Sequence, residues 1–309
     1  MNKIIFNKET EEKIINLYKI QNIGLEAIGK QIGVTRKVIK RIILSKNIPL
    51  KSTSFICSKY KFNENFLDIE NNQFTKKQAY FLGWIASDGS VHKNNEVVLG
   101  LQSNDIDIIE KIKKMLDSNN PIKITKGKIH FKVMGKIVKN TKDMAKISFA
   151  NQKFANSLRS LGYNEKKSYN LKFPHFLNKN VILHFFRSFI EGDGSITYSC
   201  NNLSIKFVST KEFCMEFKKF IEKQLNINVY LRNHTDIRNT THFEATINGN
   251  TNALKFLNLV YKDAFIYLNR KYDKFISAIE KINKLNAHKL TREQLNISYK
   301  IIEENKITS

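Results

Sequence analysis

The chain writes one short pattern twice. FLGWIASDG at 81–89 returns as FRSFIEGDG at 186–194, an offset of 105 residues measured from Asp88 to Asp193. The offset pairs Phe81 with Phe186, Trp84 with Phe189, Ile85 with Ile190, Gly89 with Gly194, Ser90 with Ser195 and Val91 with Ile196. The segments after the two copies also match in kind: a short turn, a strand (EVVLGLQS, LSIKFVST) and an amphipathic helix (DIDIIEKIKKML, KEFCMEFKKFIEKQL). Further strands come next, PIKIT, KIHFKVM and MAKISFA in one half, INVYLRN and HFEATIN in the other. Each half closes on a helix, NQKFANSLRSLGY or TNALKFLNLVY. Each half therefore reads helix-strand-strand-helix-strand-strand-helix, and an internal duplication of an α+β unit decides the architecture. The expected boundaries are 73–173 for the first repeat and 174–285 for the second, with Phe173-Pro174 read as the link between them.

Outside the repeats, residues 1–50 read as a small helical domain. NKETEEKIINLYKI opens with an acidic, capped turn and an apolar pattern at Ile14, Ile15 and Leu17. Leu25, Ile28 and Ile32 form one face of a second helix, Gly33-Val34 a turn, and Thr35 the N-cap of a third. That third helix turns Val38, Ile39, Ile42 and Ile43 inward and Arg36, Lys37, Lys40 and Arg41 outward. A helix, a glycine turn and a basic helix are the grammar of a helix-turn-helix, similar to the DNA-binding domain of the resolvase and invertase class. Residues 51–72 read as a polar linker, with Phe55, Phe62 and Phe66 available to dock, and 286–309 as a polar helical tail.

The charge selects a partner. Lys+Arg number 52 against 28 Asp+Glu, a net +24. AT-rich coding raises lysine without lowering acids, so the excess points to a polyanion, whose displaced counterions drive association. The basic residues are spread along the chain, which implies a folded surface and not a tail. No apolar run is long enough for a bilayer, and the first residues hold no signal-peptide core. Three cysteines (Cys57, Cys200, Cys214) without ligand spacing fit a reducing compartment, the cytoplasm or an organellar matrix, with the DNA.

One Asp-Gly at a helix end is an ordinary capping turn. Two at equivalent ends are harder to explain, because the carboxyl end of a helix already carries partial negative charge. A cation between them removes the difficulty, and Mg²⁺ wants the carboxylate, carbonyl and water oxygens such ends supply. Gly83, Ala86 and Ser87 in one helix, with Ser188 and Gly192 in the other, allow close backbone approach. Packed about a pseudo-two-fold axis, Asp88 and Asp193 converge, the setting for two-metal phosphodiester hydrolysis.

FLGWIASDG and FRSFIEGDG resemble the two signatures of LAGLIDADG homing endonucleases in their single-chain, two-repeat form, over roughly residues 73–285. Arg187 and Ser188 depart from the pattern, as does Ala86 where an acid is common. The resemblance implies two αββαββα units whose strands form a saddle of antiparallel sheet along the major groove. It places the metal on Asp88 and Asp193, with the carbonyls of Ser87 and Gly192 beside them. It implies one basic residue per half near the scissile phosphates, matched by Lys167 and Lys271, though a surface lysine fits either position equally. Strand alternation offers Lys123, Lys128, Lys132, Lys206, Arg232 and Arg238 as DNA contacts. The water-holding polar position after the second strand falls at Ser103 and Thr210. The activity implied is a monomeric, Mg²⁺-dependent, site-specific double-strand DNA endonuclease with no small-molecule cofactor. A non-cleaving transcription regulator and an RNA maturase remain alternatives on the same fold. An intein is not expected, since the chain ends ENKITS without the His-Asn that splicing needs.

Overall fold

The computed structural model describes residues 6–20, 23–50, 60–69, 73–127, 131–133, 136–138, 142–165, 167–235 and 241–286. Lys128, Arg238 and the tail beyond Asn286 lie outside them. The chain divides after Lys61 into two compact units.

The first unit is three helices, α1 (Lys8–Lys19), α2 (Leu25–Ile32) and α3 (Arg36–Ser45). Asn7 caps α1 by accepting from the Thr10 amide at 2.9 Å. Gly33 ends α2 at φ 77°, a left-handed turn that side chains resist. Ile14, Leu17, Tyr18, Ile28, Ile39, Ile42, Ile43 and Ile48 make this unit's own core. Arg36, Lys37, Lys40 and Arg41 are exposed on the outer face of α3.

The second unit opens on α4 (Lys76–Ser87), started by a capping box in which Thr75 and Gln78 bond each other's backbone amides at 3.2 and 2.7 Å. Then come β1 (Gly89–Val91), β2 (Glu96–Gln102), a 3₁₀ turn Ser103–Asp105, α5 (Ile106–Met115) and β3 (Lys123–Thr125). A hairpin of β4 (Phe131–Val133) and β5 (Lys136–Val138) precedes β6 (Met144–Ala150) and α6 (Gln152–Ser160). One turn of helix, α7 (Lys167–Asn170), leads to α8 (Ile182–Asp193). The second half continues with β7 (Ser195–Ser199), β8 (Asn202–Ser209), α9 (Lys211–Leu225), β9 (Tyr230–Thr235), β10 (Thr241–Asn248), α10 (Asn250–Tyr261) and α11 (Asn269–Asn286). Both main sheets are antiparallel and share one topology, β1-β2-β6-β3 and β7-β8-β10-β9. The expected α+β fold of duplicated αββαββα halves is present, with the β4–β5 hairpin added to the first.

Helices α4 and α8 are apolar nearly all round because they lie at the centre, packed on each other. Their approach is set by small residues in reciprocal places. A Cβ on Gly83 would overlap Ser188 Oγ and the Phe185 carbonyl; one on Gly192 would overlap Ser87 and Asp88. Position 83 corresponds to 188 and 87 to 192, so each crossing pairs one glycine with one serine. Outward from this pair, alternate strand residues such as Val97, Leu99, Leu101, Ile205 and Phe207 close the core against the flanking helices.

Two segments expected to be links are structural. Phe62 packs 5.0 Å from the Phe149 ring and 5.1 Å from Phe154, and Phe66 lies 5.5 Å from Phe81. The Gln78 side chain donates to the carbonyls of Phe66 and Asp68 at 2.7 and 3.0 Å. Phe173 is buried among Phe186, Phe213 and Phe220. In each case a phenylalanine turned a polar-looking stretch into part of the core. No described helix is long and apolar enough to cross a membrane.

Candidate metal centre and nucleic-acid interface

The two Asp-Gly dipeptides lie at the matching ends of α4 and α8. Neither glycine is there for a left-handed cap, since Gly194 has φ −84° and Gly89 is not among the positive-φ residues. A Cβ on Gly89 would stand 2.6 Å from Ile85 Cα, and one on Gly194 would stand 2.7 Å from the Ile190 carbonyl oxygen. The glycines let each strand start directly against the last turn of its helix, which holds the preceding aspartate in place.

Asp88 and Asp193 are close enough for their charges to interact. Burial raises the Asp88 carboxyl, offset by Ser87, Lys167 and Lys271. Burial, then Asp88, pushes Asp193 up to about 6, against the pull of Lys167 and Lys271. Asp193 keeps one side open to solvent while protein crowds the other.

Both expected lysines are at the site, and both are buried, so the surface-lysine reading fails for each. The Lys167 ammonium donates to the carbonyls of Ala86 and Ser87 at 2.7 and 2.6 Å. Lys271 donates to Ile190 at 2.7 Å, Gly194 at 2.5 Å and Gly192 at 3.3 Å. Helix ends leave such carbonyls without intrahelical partners and gather negative potential there. The lysines therefore supply part of the positive charge that two aspartates at helix ends require. Burial lowers both ammonium groups, Lys271 to about 8 with Arg270 adding to the effect.

Does this centre suit a divalent cation? Asp88 Oδ2 is buried without a hydrogen-bond partner and borders the space a Cβ on Gly192 would fill. The carbonyls of Ser87 and Gly192 each accept a lysine, and each oxygen retains a second lone pair. Carboxylate and carbonyl oxygens are the donors a hard cation selects. Among the described residues no cluster of three or more His, Cys, Asp or Glu could hold a metal. A cation here would complete its shell from main-chain and water oxygens. The donor set fits Mg²⁺ or a similar ion.

Beside Asp193 lies a polar cluster the sequence pattern did not predict. Glu191 is fully buried, accepts the Tyr80 hydroxyl at 2.8 Å across the helix pair, and is pushed up to about 7 by burial, against Arg187. Arg187, one of the departures from the signature, is buried with its guanidinium 4.8 Å from the Tyr80 ring and donates to the Val260 carbonyl at 3.0 Å. A charged residue inside an apolar helix is the signal that marks this cluster.

The two sheets each present an alternating polar face. On the second, cross-strand partners place Ser195, Lys206, Thr246 and Tyr230 in one row and Thr197, Ser204 and Asn248 in another. Arg232 is exposed there and bonds Glu244 at 2.7 and 3.1 Å, while Lys206 lies 3.9 Å from the same carboxylate. On the first sheet Lys123 lies directly opposite Lys146, and both are exposed. Like charges facing each other across strands are unfavourable unless an anion lies over them. Strand alternation in MAKISFA could have flagged Lys146, which is absent from the contacts expected from the sequence. Lys132 sits on β4 opposite Ile137.

Residues 180–261, within the second half of the duplication, match the profile of the LAGLIDADG-like domain. No curated protein matches the sequence. Among solved structures, the homing endonuclease I-WcaI bound to its DNA recognition sequence is 15% identical, with 74% of this chain and 95% of that chain covered and a TM-score of 0.46. Mesophilic variants of the homing endonuclease I-DmoI are also 15% identical, covering 60% of this chain and 96% of that one at a TM-score of 0.40. The N-terminal LAGLIDADG domain of DUF199/WhiA is 16% identical, covering 68% and 92% at 0.36. Likenesses this distant leave the chemistry to be read from the chain's own residues.

Proposed function

We propose that the protein is a site-specific, double-strand DNA endonuclease of the homing type that works as a monomer, alongside DNA in the cytoplasm or an organellar matrix. The observation that carries this reading is the buried, unpartnered Asp88 Oδ2 beside Gly192, at a centre where two aspartates and two buried lysines meet. Asp88 and Asp193 would hold divalent cations such as Mg²⁺, with the Ser87 and Gly192 carbonyls contributing. When bound, such ions polarise a phosphoryl oxygen and make bound water a nucleophile near neutral pH. Lys167 and Lys271 fix the two helix ends through their carbonyl contacts and hold positive charge where the scissile phosphate gathers negative charge. The sheet faces, with Lys123, Lys146, Lys206 and Arg232, would follow the backbone and base edges of the duplex. Exposed Arg36, Lys37 and Lys40 on α3 would give the first unit its own DNA contact as a helix-turn-helix.

The test is cleavage of a randomised duplex library in Mg²⁺ and in Ca²⁺ by native and Asp193→Asn proteins. Site-specific cuts by the native protein in Mg²⁺, absent with the variant, are expected. Selective DNA retention without cutting in any divalent metal would replace this reading with a non-cleaving DNA regulator. Binding confined to RNA would replace it with a maturase.

A further inference from the structure

Arg270 and Lys271 are neighbours at the start of α11, and they diverge. Lys271 turns beneath α8, onto its last carbonyls. Arg270 reaches the other way, into the first half, to Asp105 at the end of the 3₁₀ turn after β2. Its Nε donates to Asp105 Oδ1 at 2.8 Å and Oδ2 at 3.1 Å, and Nη2 donates to Oδ2 at 2.8 Å. The carboxylate is buried, while the arginine side chain is 48% exposed. No described residue receives Nη1, so the outer edge of the guanidinium faces outward with donors to give.

Arg270 adjoins the centre through its neighbour Lys271, whose ammonium holds the carbonyls of Gly192 and Gly194. Asp88 responds to the charge of Asp105, and Arg270 responds to that of Asp88. Among the described residues the pairing is not repeated in the second half. The position equivalent to Asp105 is Thr210, whose hydroxyl donates to the Leu171 carbonyl at 2.6 Å and accepts from the Phe213 amide at 3.1 Å. A guanidinium already clamped along one edge keeps its plane fixed, so little freedom is lost when its other edge takes a phosphate. Lysine, a single point charge, cannot serve both partners in that way.

We propose that Arg270 is a phosphate ligand of the site, delivered by the second half to the first half's side, with Asp105 as the residue that positions it. The proposal rests on the nuclease reading for its substrate. It has a consequence for that reaction: only one of the two scissile phosphates receives the arginine, so the two strands are cut at unequal rates.

Two measurements test it, on Arg270→Ala, Arg270→Lys, Asp105→Asn and a packing control, Asp105→Leu/Arg270→Met. The first is the salt dependence of binding to a random-sequence duplex in Ca²⁺, which needs no cleavage. Arg270→Ala should lower the slope of log K against log salt by about one, and Asp105→Asn should leave it unchanged. The second is single-turnover cutting of a plasmid carrying a site that the native protein cleaves, each strand followed separately. Arg270→Ala should slow one strand roughly a hundredfold to a thousandfold, on the scale of one lost donor to transition-state charge. The other strand should change little, and Arg270→Lys should not rescue. An unchanged salt slope overturns the proposal. So does equal slowing of both strands that the packing control repairs together with melting temperature, since the pair would then only tie the halves. If the native protein cuts no DNA, the nuclease reading fails, while the salt slope still decides whether Arg270 meets phosphate.

Discussion

Placing a methyl group at the α4–α8 crossing separates folding from chemistry, because the two glycines there face different obstacles. A Cβ on Gly83 meets the backbone of Phe185 and the Phe189 amide as well as Ser188 Oγ, and no rotamer change moves a helix backbone. A Cβ on Gly192 meets Ser87 Oγ at 2.2 Å and Asp88 Oδ2 at 2.4 Å, which can rotate away, and Ser87 Cβ at 2.5 Å, which the backbone of α4 fixes. Overpacking a tight core costs about 1–3 kcal/mol, and more where the backbone cannot yield. Gly83→Ala should therefore lose about 3 kcal/mol or more, and Gly192→Ala about 2–3 kcal/mol, since Ser87 Oγ and Asp88 can turn aside while Ser87 Cβ cannot. Under the proposed function Asp88 is a metal ligand, so displacing it with Gly192→Ala should abolish cutting while the protein still folds. Trp84 is the chain's single tryptophan and is buried on α4, so its fluorescence in urea reports this helix pair directly. Adding Ser188→Gly to Gly83→Ala should recover only part of the loss, since the Phe185 carbonyl stays in the way. Equal urea midpoints for the native protein and Gly83→Ala would refute the account of the crossing. Full cutting by Gly192→Ala would refute the placement of Asp88 against it.

Other substitutions probe the site and its surroundings. Lys271→Met should cut DNA far more slowly than the native protein, and Lys271→Arg should not restore the rate, because a guanidinium does not fit among three carbonyls clustered on one ammonium; single-turnover cleavage measures both. Lys146→Ala should reduce the salt slope of duplex binding by about one, read by fluorescence anisotropy, and relieving its opposition to Lys123 should leave stability equal or higher. The pH dependence of stability should change when Glu191 is replaced. His184 is held down to about 4 by burial and then by Arg187, so the unfolded chain takes up its proton first. Its contribution is complete at neutral pH and is lost as pH falls from 6.5 towards 4. Glu191, raised to about 7, acts in reverse: the folded chain keeps a proton that the unfolded chain releases, and that contribution is lost as pH rises from 4.5 to 7. The two nearly cancel between 4.5 and 6.5. Asp193, raised to about 6, acts in the same direction as Glu191. Glu191→Gln should therefore make the slope of stability against pH more positive than the native protein's by up to about 1.4 kcal/mol per pH unit. Equal slopes for the two proteins, from urea midpoints at three pH values in that window, would refute this.

Much of the fold and the site was legible because repetition amplifies weak local signals. A lone Asp-Gly after an apolar run means little, but its recurrence at a fixed offset located the helix pair and the two aspartates, while the two lysines were named only through the family resemblance. Strand alternation placed Lys123, Lys206 and Arg232 on sheets whose registers match between halves. What escaped is what the halves do not share. Asp105 answers Arg270 across 165 residues, and Tyr80 answers Glu191 across 111. No local pattern encodes a bond of that span, and superposing the repeats conceals it, since the equivalent positions hold Thr210, Phe185 and Ala86. The docking of Phe62 and Phe66 could be named as an option but their partners could not, and the burial of Phe173 was missed, because one aromatic in a polar stretch has no period to announce it. A duplicated chain keeps its symmetric frame where two identical problems, a helix end and a close crossing, need identical answers. It becomes asymmetric where a charge from one half has to be met by the other. The residues that break the repeat are therefore the ones to substitute first when asking whether the two strands of a duplex are treated alike.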